Sequence, residues 1–280
     1  MRPISYRLQK HFYNGITLAL ATTLAFLFFV PILYTVVTSL KPLALVFEFP
    51  IKWIPSEVDL GNYSRPMTTG RFYLYFYNSF IVATAVTAGA MFFGSMAGYS
   101  LAKFRYPGRT LFFTLILLVM IVPLEVILVP LSIVARVLKL NNTMRGLILP
   151  VLISPMSVFW MRQYLLTIPI DYIEAARVEG VGELTLFFRI MLPMCLPALG
   201  ALAIFSFMGN WNSLMWPMIV ASSRPLRTVP AAIVAFMGEW EVHWGEIFAM
   251  SVLSAVPLII VFLLARERLI QSMAIGGLKG

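Results

Sequence analysis

The chain of 280 residues is 60% hydrophobic and only 12% charged, with a formal net charge of +9 and a mean hydropathy of +0.87. A soluble domain carries about a quarter charged residues, so the composition does not fit a soluble enzyme. The excess of basic residues is typical of the flanks of membrane helices beside anionic lipid, and it requires no nucleic-acid partner.

Six apolar runs are long enough to cross a hydrocarbon core of roughly 30 Å as helices. Because backbone groups in lipid must be satisfied within their own segment, we expect an all-α integral membrane protein. A single transmembrane domain would cover residues 1–280. The first run is too long for a cleavable signal peptide and predicts an uncleaved anchor. The runs span residues 15–40, 78–101, 111–134, 146–166, 191–221 and 247–265.

The distribution of Lys and Arg predicts the orientation. The tightest basic clusters lie at the N-terminus and at residues 103–109, and such clusters favour the cytoplasmic side. With six crossings, both termini are expected to be cytoplasmic, in the cytoplasmic membrane. The segment 41–77 is then external. Its Pro, Gly and aromatic residues are typical of a loop with an interfacial aromatic belt, which is either a spacer or a landing pad for a substrate-delivery protein.

Two features stand out in the second and third runs. Small residues recur every four positions at Ala90, Gly94 and Gly98, and this spacing favours a groove for helix packing. Glu125 lies at membrane depth, where a carboxylate costs at least ~2.5 kcal/mol. We expect it to face the bundle interior, to be protonated or to have a partner. It is interpreted either as a residue of a translocation path that contacts polyol hydroxyls or as a hydrogen bond between helices.

Residues 171–193 form the loop between the fourth and fifth runs. Pro169 disfavours continuation of the fourth helix, and Asp171, three residues before Glu174, is a plausible N-cap. Two short helices are expected. They cover residues 172–179, ended by Gly180 or Gly182, and residues 183–191, ending before Pro193.

The fifth run carries polar residues at helical spacing. Ser206, Asn210, Ser213 and Pro217 lie at offsets of 4, 7 and 11, which is one face of a helix, whereas neighbours such as Ile204 are expected to face lipid. Helix packing would explain such a stripe. The flat apolar faces of Trp211 and Trp216, of the kind that stack on sugar rings, favour the wall of a translocation path. Pro217 is expected to break the helix beside a cavity.

Several kinds of chemistry have no motif in this sequence. It has no GxxxxGK[ST] phosphate loop, so the chain is not expected to hydrolyse ATP. His11 and His243 are isolated and Cys195 is the only cysteine, so neither a metal site nor an intramolecular disulfide is expected. We expect no catalytic residue and no cofactor bound by the chain itself.

One spacing carries a specific resemblance. The pattern EAA, three residues, G, nine residues, I, one residue, LP matches at every position the signature loop of ABC importer permeases, and the chain resembles that family. The resemblance implies that the loop is a cytoplasmic coupling loop that docks on an ATPase subunit. Two small alanines would let the partner approach the backbone closely. The residues are Glu174, Ala175, Ala176, Gly180, Ile190, Leu192 and Pro193.

The resemblance covers most of the chain from Asn78 and is strongest with the carbohydrate-uptake branch, in layout with the second permease of the maltose transporter. It rests on Trp-Asn in the fifth run, on an LNNT segment one residue longer than the pattern, and on the glycine-rich C-terminus. Glu179 stands where many relatives carry Asp. The tail that would reach the ATPases consists of Gly276, Gly277, Leu278, Lys279 and Gly280.

The resemblance implies an ATP-driven importer for a carbohydrate or a related polyol or glycoside, in a prokaryotic inner membrane. It implies a second homologous permease, two copies of an ATPase that bind ATP and Mg, and an external solute-binding protein. The substrate path would include Glu125, Ser206, Asn210, Trp211 and Ser213. Three alternatives remain: a glycerol-phosphate-type solute, an ion-coupled secondary transporter using Glu125, and a membrane scaffold without a transport path.

Overall fold

The computed structural model describes residues 4–238 and 242–277, and over these residues it contains only helices and loops. Contacts divide the chain into two compact units, residues 1–70 with 236–253 and residues 71–235 with 254–280. The single domain over residues 1–280 stays a prediction. The helices are α1 (Ile4–Ser39), α2 (Gly61–Thr68), α3 (Phe72–Lys103), α4 (Arg109–Ile121), α5 (Leu124–Val137), α6 (Met144–Ile148), α7 (Pro155–Thr167), α8 (Asp171–Val178), α9 (Glu183–Leu186), α10 (Leu192–Met194), α11 (Leu196–Trp211), α12 (Met215–Val220), α13 (Val229–Met237) and α14 (Trp244–Gly277).

Three stretches are long and apolar enough to cross a membrane alone: Tyr13–Ser39 of α1, α3, and Trp244–Leu264 of α14. Three further spans need two helical segments each. The bend is 104° between α4 and α5, 42° between Met144–Val151 and α7, and 77° between Glu183–Met194 and α11. All six predicted runs are therefore helical, but three of them are not single helices, and the count of six crossings stays a prediction.

Prolines lie at the breaks within these three runs. Pro123 follows Val122, which is extended at φ −79° and ψ 116°, because a residue before proline avoids the helical region. Pro155 is the first residue of α7, and the third break lies at Cys195. The run 191–221 is interrupted again at residues 212–214. A proline removes one backbone hydrogen bond and crowds the preceding turn, and this opens the helix at Pro123 and Pro155.

The larger unit is built on close packing of α3 against α7. A Cβ on Gly94 would lie 2.6 Å from Ser157 Oγ, and one on Gly98 would lie 2.8 Å from the backbone nitrogen of Arg162. Only a residue without a side chain fits at these two positions. The predicted packing groove is therefore confirmed, and α7 is the helix that occupies it.

In the smaller unit, polar bonds fix α2. Asn62 Nδ2 donates to the backbone oxygens of Ser39 at 3.0 Å and Lys41 at 2.8 Å, at the end of α1. The guanidinium of Arg65 donates to Glu246 Oε1 and Asp59 Oδ2, both at 2.9 Å. These bonds satisfy an amide that is buried, which would otherwise cost stability.

The composition of segment 41–77 had predicted a loop, but part of the segment is helical. It contains a 3-10 turn at Leu43–Leu45, helix α2, and the first six residues of α3. Helix α3 begins at Phe72 because Arg71, at φ 53°, turns the chain through the left-handed region immediately before it. The aromatic cluster at residues 72–77 is therefore the first part of a membrane-length helix.

Candidate functional site

The loop between the fourth and fifth runs is a helical hairpin, called here the 171–193 hairpin. Its first helix, α8, begins where the N–H groups of Ile173 and Glu174 both donate to the backbone oxygen of Ile170, at 2.8 and 3.1 Å. Asp171 is the first helical residue and makes no capping bond, so the predicted N-cap was wrong. Its carboxylate lies in the first turn, where it complements the helix dipole.

Gly180 ends this helix in a Schellman motif. The N–H of Gly180 donates to Arg177 O at 3.0 Å, and the N–H of Val181 donates to Ala176 O at 3.0 Å. Gly180 has φ +76°, a left-handed conformation that glycine adopts without penalty. Gly182 has φ −68°. Of the two predicted terminators, Gly180 is therefore the one that the backbone requires.

The second half of the hairpin runs further than predicted. Helix α9 continues into a π-helical segment, Phe187–Met191, and then into α10. Pro193 is the second residue of α10, so the prediction that the helical run ends before this proline was wrong.

The inner side of the hairpin packs on the rest of the larger unit. Ile173 and Ala176 of α8 are buried, so Ala176 does not face a partner as the motif had implied. In addition, Lys103 Nζ donates to the backbone oxygen of Ile168 at the end of α7. The hairpin is thus fixed to α3, α7 and α11. The shared cluster contains Tyr99, Met161, Leu165, Ile168, Ile173, Ala176, Leu186, Phe187, Met191, Cys195, Ala198 and Leu199.

The outer side of the hairpin exposes apolar residues beside the acidic motif residue. Val178 is 89% exposed and Leu184 is 70% exposed, and Glu174, Ala175 and Gly180 are exposed as well. Of the other motif residues, Pro193 is exposed, whereas Ile190 and Leu192 are half-buried against the core cluster. Exposed apolar side chains of this kind occur at contacts with other proteins or with membranes.

An ion pair connects the two helices of the hairpin. Arg177 Nε donates to Glu183 Oε1 at 2.7 Å, and the Arg177 guanidinium lies over the Phe104 ring, 5.9 Å from its centroid. The bond to the Glu183 carboxylate raises the pKa of Arg177. Both partners are nearly half exposed, so the pair sets geometry more than it adds stability.

The predicted polar stripe of the fifth run is divided by a break in the helix. Ser206 and Asn210 lie on α11, where Asn210 Nδ2 donates to the Ser206 backbone oxygen at 2.8 Å. Ser213 lies in the non-helical stretch 212–214, so it does not continue their helical face. Pro217 is buried inside α12, after the break rather than at it. Irregular backbone at membrane depth is tolerated where it lines a cavity or is covered by protein.

The two tryptophans of this region are buried. Trp216 Nε1 donates to Gly146 O at 3.1 Å, so Trp216 is part of the core and not a surface for sugars. Trp211 Nε1 donates to Ser254 O at 3.0 Å, and its ring stacks on Phe207 with centroids 5.8 Å apart. Ile204 is 5% exposed, which corrects its predicted position towards lipid.

A cavity of about 280 Å³ lies at the break. Trp211 and Asn212 line it from the end of α11, and Ser254 lines it from α14. The α13 side of this cavity was not found from the sequence, because nothing in an apolar run indicates which of its residues face a void. The remaining lining residues are Leu214, Val229, Pro230, Ile233 and Val234.

Two further predicted sites are Glu125 and the C-terminal tail. Glu125 is in the first turn of α5 and is exposed on this chain, so the expected inward orientation is not reached within the chain itself. Gly276 and Gly277 end α14, whereas Leu278, Lys279 and Gly280 lie outside the described residues.

Residues 90–275 match the family described as the binding-protein-dependent transport system inner membrane component. The chain belongs to this family, and it is a multi-pass inner-membrane permease subunit of an ABC importer, which works with an ATPase and a solute-binding protein.

Relatives are similar over most of their length. The arabinooligosaccharides transport system permease of Bacillus subtilis is 35% identical over 260 residues, 92% of each chain. The sulfoquinovosyl glycerol transport system permease of Agrobacterium fabrum is 32% identical over 252 residues, 89% of this chain and 88% of the relative. The sn-glycerol-3-phosphate transport system permease of Yersinia enterocolitica is 31% identical over 241 residues, which cover 81% of this chain and 84% of the relative.

A solved structure has the same fold. A chain from the crystal structure of a bacterial ABC transporter that imports the acidic polysaccharide alginate aligns with a TM-score of 0.83 at 20% identity. The alignment covers 95% of this chain and 98% of that chain. The breaks within three of the apolar runs therefore occur within a permease fold.

Proposed function

We propose that this chain is the permease subunit of an importer for a carbohydrate or a related polyol or glycoside, and that its 171–193 hairpin docks on the ATPase. It pairs with a second, similar permease and with two ATPase copies, which bind ATP and Mg. The chain is not an enzyme and binds no cofactor. The hairpin and both termini are cytoplasmic, and a solute-binding protein delivers the solute on the other side.

The observation that carries the docking proposal is the contrast between the two sides of the hairpin. Its inner side is locked into the core of the larger unit, while Val178 and Leu184 remain exposed on the outer side. A rigid element with an apolar outer surface can transmit a displacement instead of absorbing it. Glu174, next to this surface, adds a charge that a basic partner can pair.

Helix α11 connects the hairpin with the broken segment. It begins directly after the hairpin and ends at Trp211, beside the cavity, and its 16 residues correspond to about 24 Å. When ATP binding closes the two ATPases, the hairpin moves and α11 tilts, so that the walls at residues 206–213 shift. This is alternating access driven from outside the chain, with Ser206, Asn210, Trp211 and Ser213 as the wall.

The substrate class rests on the relatives together with the chemistry of the cavity. Arabinooligosaccharides, sulfoquinovosyl glycerol and sn-glycerol-3-phosphate are the solutes in the relatives' names, and all are rich in hydroxyl groups. The Asn212 amide and the Trp211 ring at the cavity suit such solutes. A glycerol-phosphate solute agrees with the same facts but is not favoured by them.

Uptake into proteoliposomes that contain the full complex and its binding protein tests the substrate class. Labelled arabinooligosaccharide, sulfoquinovosyl glycerol and glycerol-3-phosphate are compared with an amino acid and with a metal ion. Import of a hydroxyl-rich solute is expected. Import of the amino acid or the metal ion alone would contradict the proposal.

Docking is tested with Val178→Asp. A carboxylate in an apolar contact loses its hydration, so ATPase copurification should fall at least tenfold, which corresponds to about 1.4 kcal/mol. The control is Ser222→Asp, which adds the same charge at an exposed position far along the chain. Equal ATPase recovery with both variants would refute the hairpin as the docking site. Deletion of residues 276–280 tests the tail, and unchanged ATPase activity and assembly would exclude it from the contact.

A further inference from the structure

Between α1 and α2 the chain forms a strap, residues 42–54, that exposes large apolar side chains. Phe49 is 91% exposed and Ile54 is 85% exposed, and Phe47 and Ile51 are also exposed. Such a group of side chains is unfavourable in water and marks a contact surface. The question is which partner covers it.

The strap folds back along α1. The Trp53 ring packs edge-on against Tyr34, with the ring centroids 6.4 Å apart. Tyr34 lies five residues before Ser39, the last residue of α1, and at 1.5 Å per residue this is about 7.5 Å inside the helix end. The stretch Tyr13–Ser39 is a membrane-length apolar helix with none of its apolar window buried. Trp53 therefore lies beside the last turns of an apolar helix of membrane length.

After Trp53 the chain returns to the end of the helix. The N–H of Asp59 donates to Leu40 O at 2.8 Å, which places residue 59 at the end of α1. The composition follows this path. Residues 43–54 are mostly apolar, whereas Ser56, Glu57 and Asp59 follow as the chain leaves the span.

Within this unit, aromatic rings of α14 contact Tyr34 and the strap. Tyr34 contacts Phe248 with centroids 6.2 Å apart, and Phe47 contacts Trp244 with centroids 5.4 Å apart. Trp and Tyr concentrate at the boundary between headgroups and acyl chains. Lys52 pairs with Glu48 on the strap, and a Lys at this depth can extend its ammonium group to the headgroups.

We propose that the strap is a membrane-interface anchor that inserts Phe49 and Ile54 into the headgroup and acyl boundary of the bilayer. The Trp53 contact, about 7.5 Å from the end of α1, agrees with the 5–10 Å over which interfacial segments bury their apolar side. A soluble binding protein cannot reach side chains at that depth, so lipid is favoured over the landing pad. The anchor fixes the end of α1 and does not depend on the nature of the solute.

Nitroxide labels test the anchor. In a Cys195→Ala background, Phe49→Cys, Ile54→Cys and Glu57→Cys are labelled in the full chain, purified with its associated subunits and placed in phosphatidylethanolamine and phosphatidylglycerol nanodiscs. Collisions with oxygen should exceed those with a water-soluble nickel chelate at positions 49 and 54. The ratio should reverse at the control position 57.

Two results would overturn the proposal. Nickel access at positions 49 and 54 equal to that at 57 would place the strap in water, and protection by the binding protein would then identify a landing pad. Exclusion of both reagents would show that another protein subunit covers it. Should the labelled variants fail to fold, brominated lipid is used with the unlabelled chain. It should quench a fluorescence component that Trp53→Phe removes, and an unchanged quenched fraction would also overturn the anchor.

Discussion

Gly180 provides the sharpest test of how the 171–193 hairpin is built. Its φ of +76° is left-handed, and a Cβ added there would meet nothing within 4 Å. The cost of Gly180→Ala is therefore conformational and not steric, at about 1–2 kcal/mol. That cost lowers the population of the closed Schellman motif by a factor of about 5–30. Gly180→Asn should cost less, because Asn tolerates this conformation better.

Hydrogen exchange of two amides measures this directly. The N–H groups of Gly180 and Val181 close the motif. In Gly180→Ala, the amides of residue 180 and Val181 should therefore exchange about 5–30 times faster than in the wild type. The exchange rates of Gly180→Asn should lie between those of Gly180→Ala and the wild type. The matched control is Gly182→Ala. Gly182 has φ −68° and equally open surroundings, so exchange should not accelerate there.

Two outcomes would refute this reasoning. Equal exchange in Gly180→Ala and Gly182→Ala would show that the left-handed conformation is not required. Normal exchange together with loss of ATPase copurification in both Gly180 variants would show that the glycine is needed for direct contact with the ATPase. The conformational explanation requires copurification to follow the exchange rates, with the Asn variant partly restored.

Four further predictions concern other parts of the chain. Arg65 lowers the pKa of Asp59, so the stabilisation from this carboxylate is present above its unfolded pKa of about 3.9 and is lost as pH falls through the lower folded pKa. The difference in melting temperature between wild type and Asp59→Asn should be constant from about pH 8 to pH 5 and shrink below about pH 4; a difference that grows on acidification would contradict this. Gly98→Ala should lower the stability by about 1–3 kcal/mol through its clash with the α7 backbone, whereas Gly15→Ala, inside α1 with nothing within 4 Å, should not lower it in the same thermal assay because alanine favours a helix more than glycine does. Cysteines at Asn210 and Ser213 should change reactivity when nucleotide binds, and one at the exposed Phe205 should not; identical behaviour at all three would remove these residues from the path. Glu125→Gln should slow uptake only modestly because ATP supplies the energy, and complete loss together with loss of a proton or sodium dependence would favour ion-coupled transport.

The motif predicted the position of the hairpin but not which of its residues face inwards. Neighbouring residues on a helix point about 100° apart, so Ala175 and Ala176 cannot serve the same surface. Ala175 is exposed, while Ala176 packs on the core cluster. A spacing in the sequence records that both must be small, but only the position of α3 and α7 decides which partner each one meets. The outer apolar pair, Val178 and Leu184, was missed for the same reason.

The break at residues 212–214 had a weak signal in the sequence. Neither glycine nor proline lies in it. Pro217, which was expected to break the helix, follows three residues later, and the polar residues Asn212 and Ser213 interrupt the apolar run. These side chains can replace backbone partners: Asn212 Nδ2 donates to Met208 O at 3.0 Å. Helical spacing predicted a continuous polar stripe because a spacing argument assumes an unbroken helix.

Prolines show why length and composition predict crossings better than their shape. Pro31, Pro130 and Pro257 lie inside helices that continue past them, whereas Pro123 and Pro155 lie at breaks. Every one of them removes a backbone donor and crowds the preceding turn, so residue type alone cannot separate the two groups. What differs is whether neighbouring segments satisfy the freed carbonyl oxygens or hold the chain in its bent form. In the larger unit, the Trp216 indole donates to Gly146 O in α6, and the Ser223 N–H donates to Asn142 Oδ1 at 3.0 Å. Such bonds hold the bent segments in place, and they join residues about 70–80 positions apart in the chain, a separation that local sequence patterns do not encode.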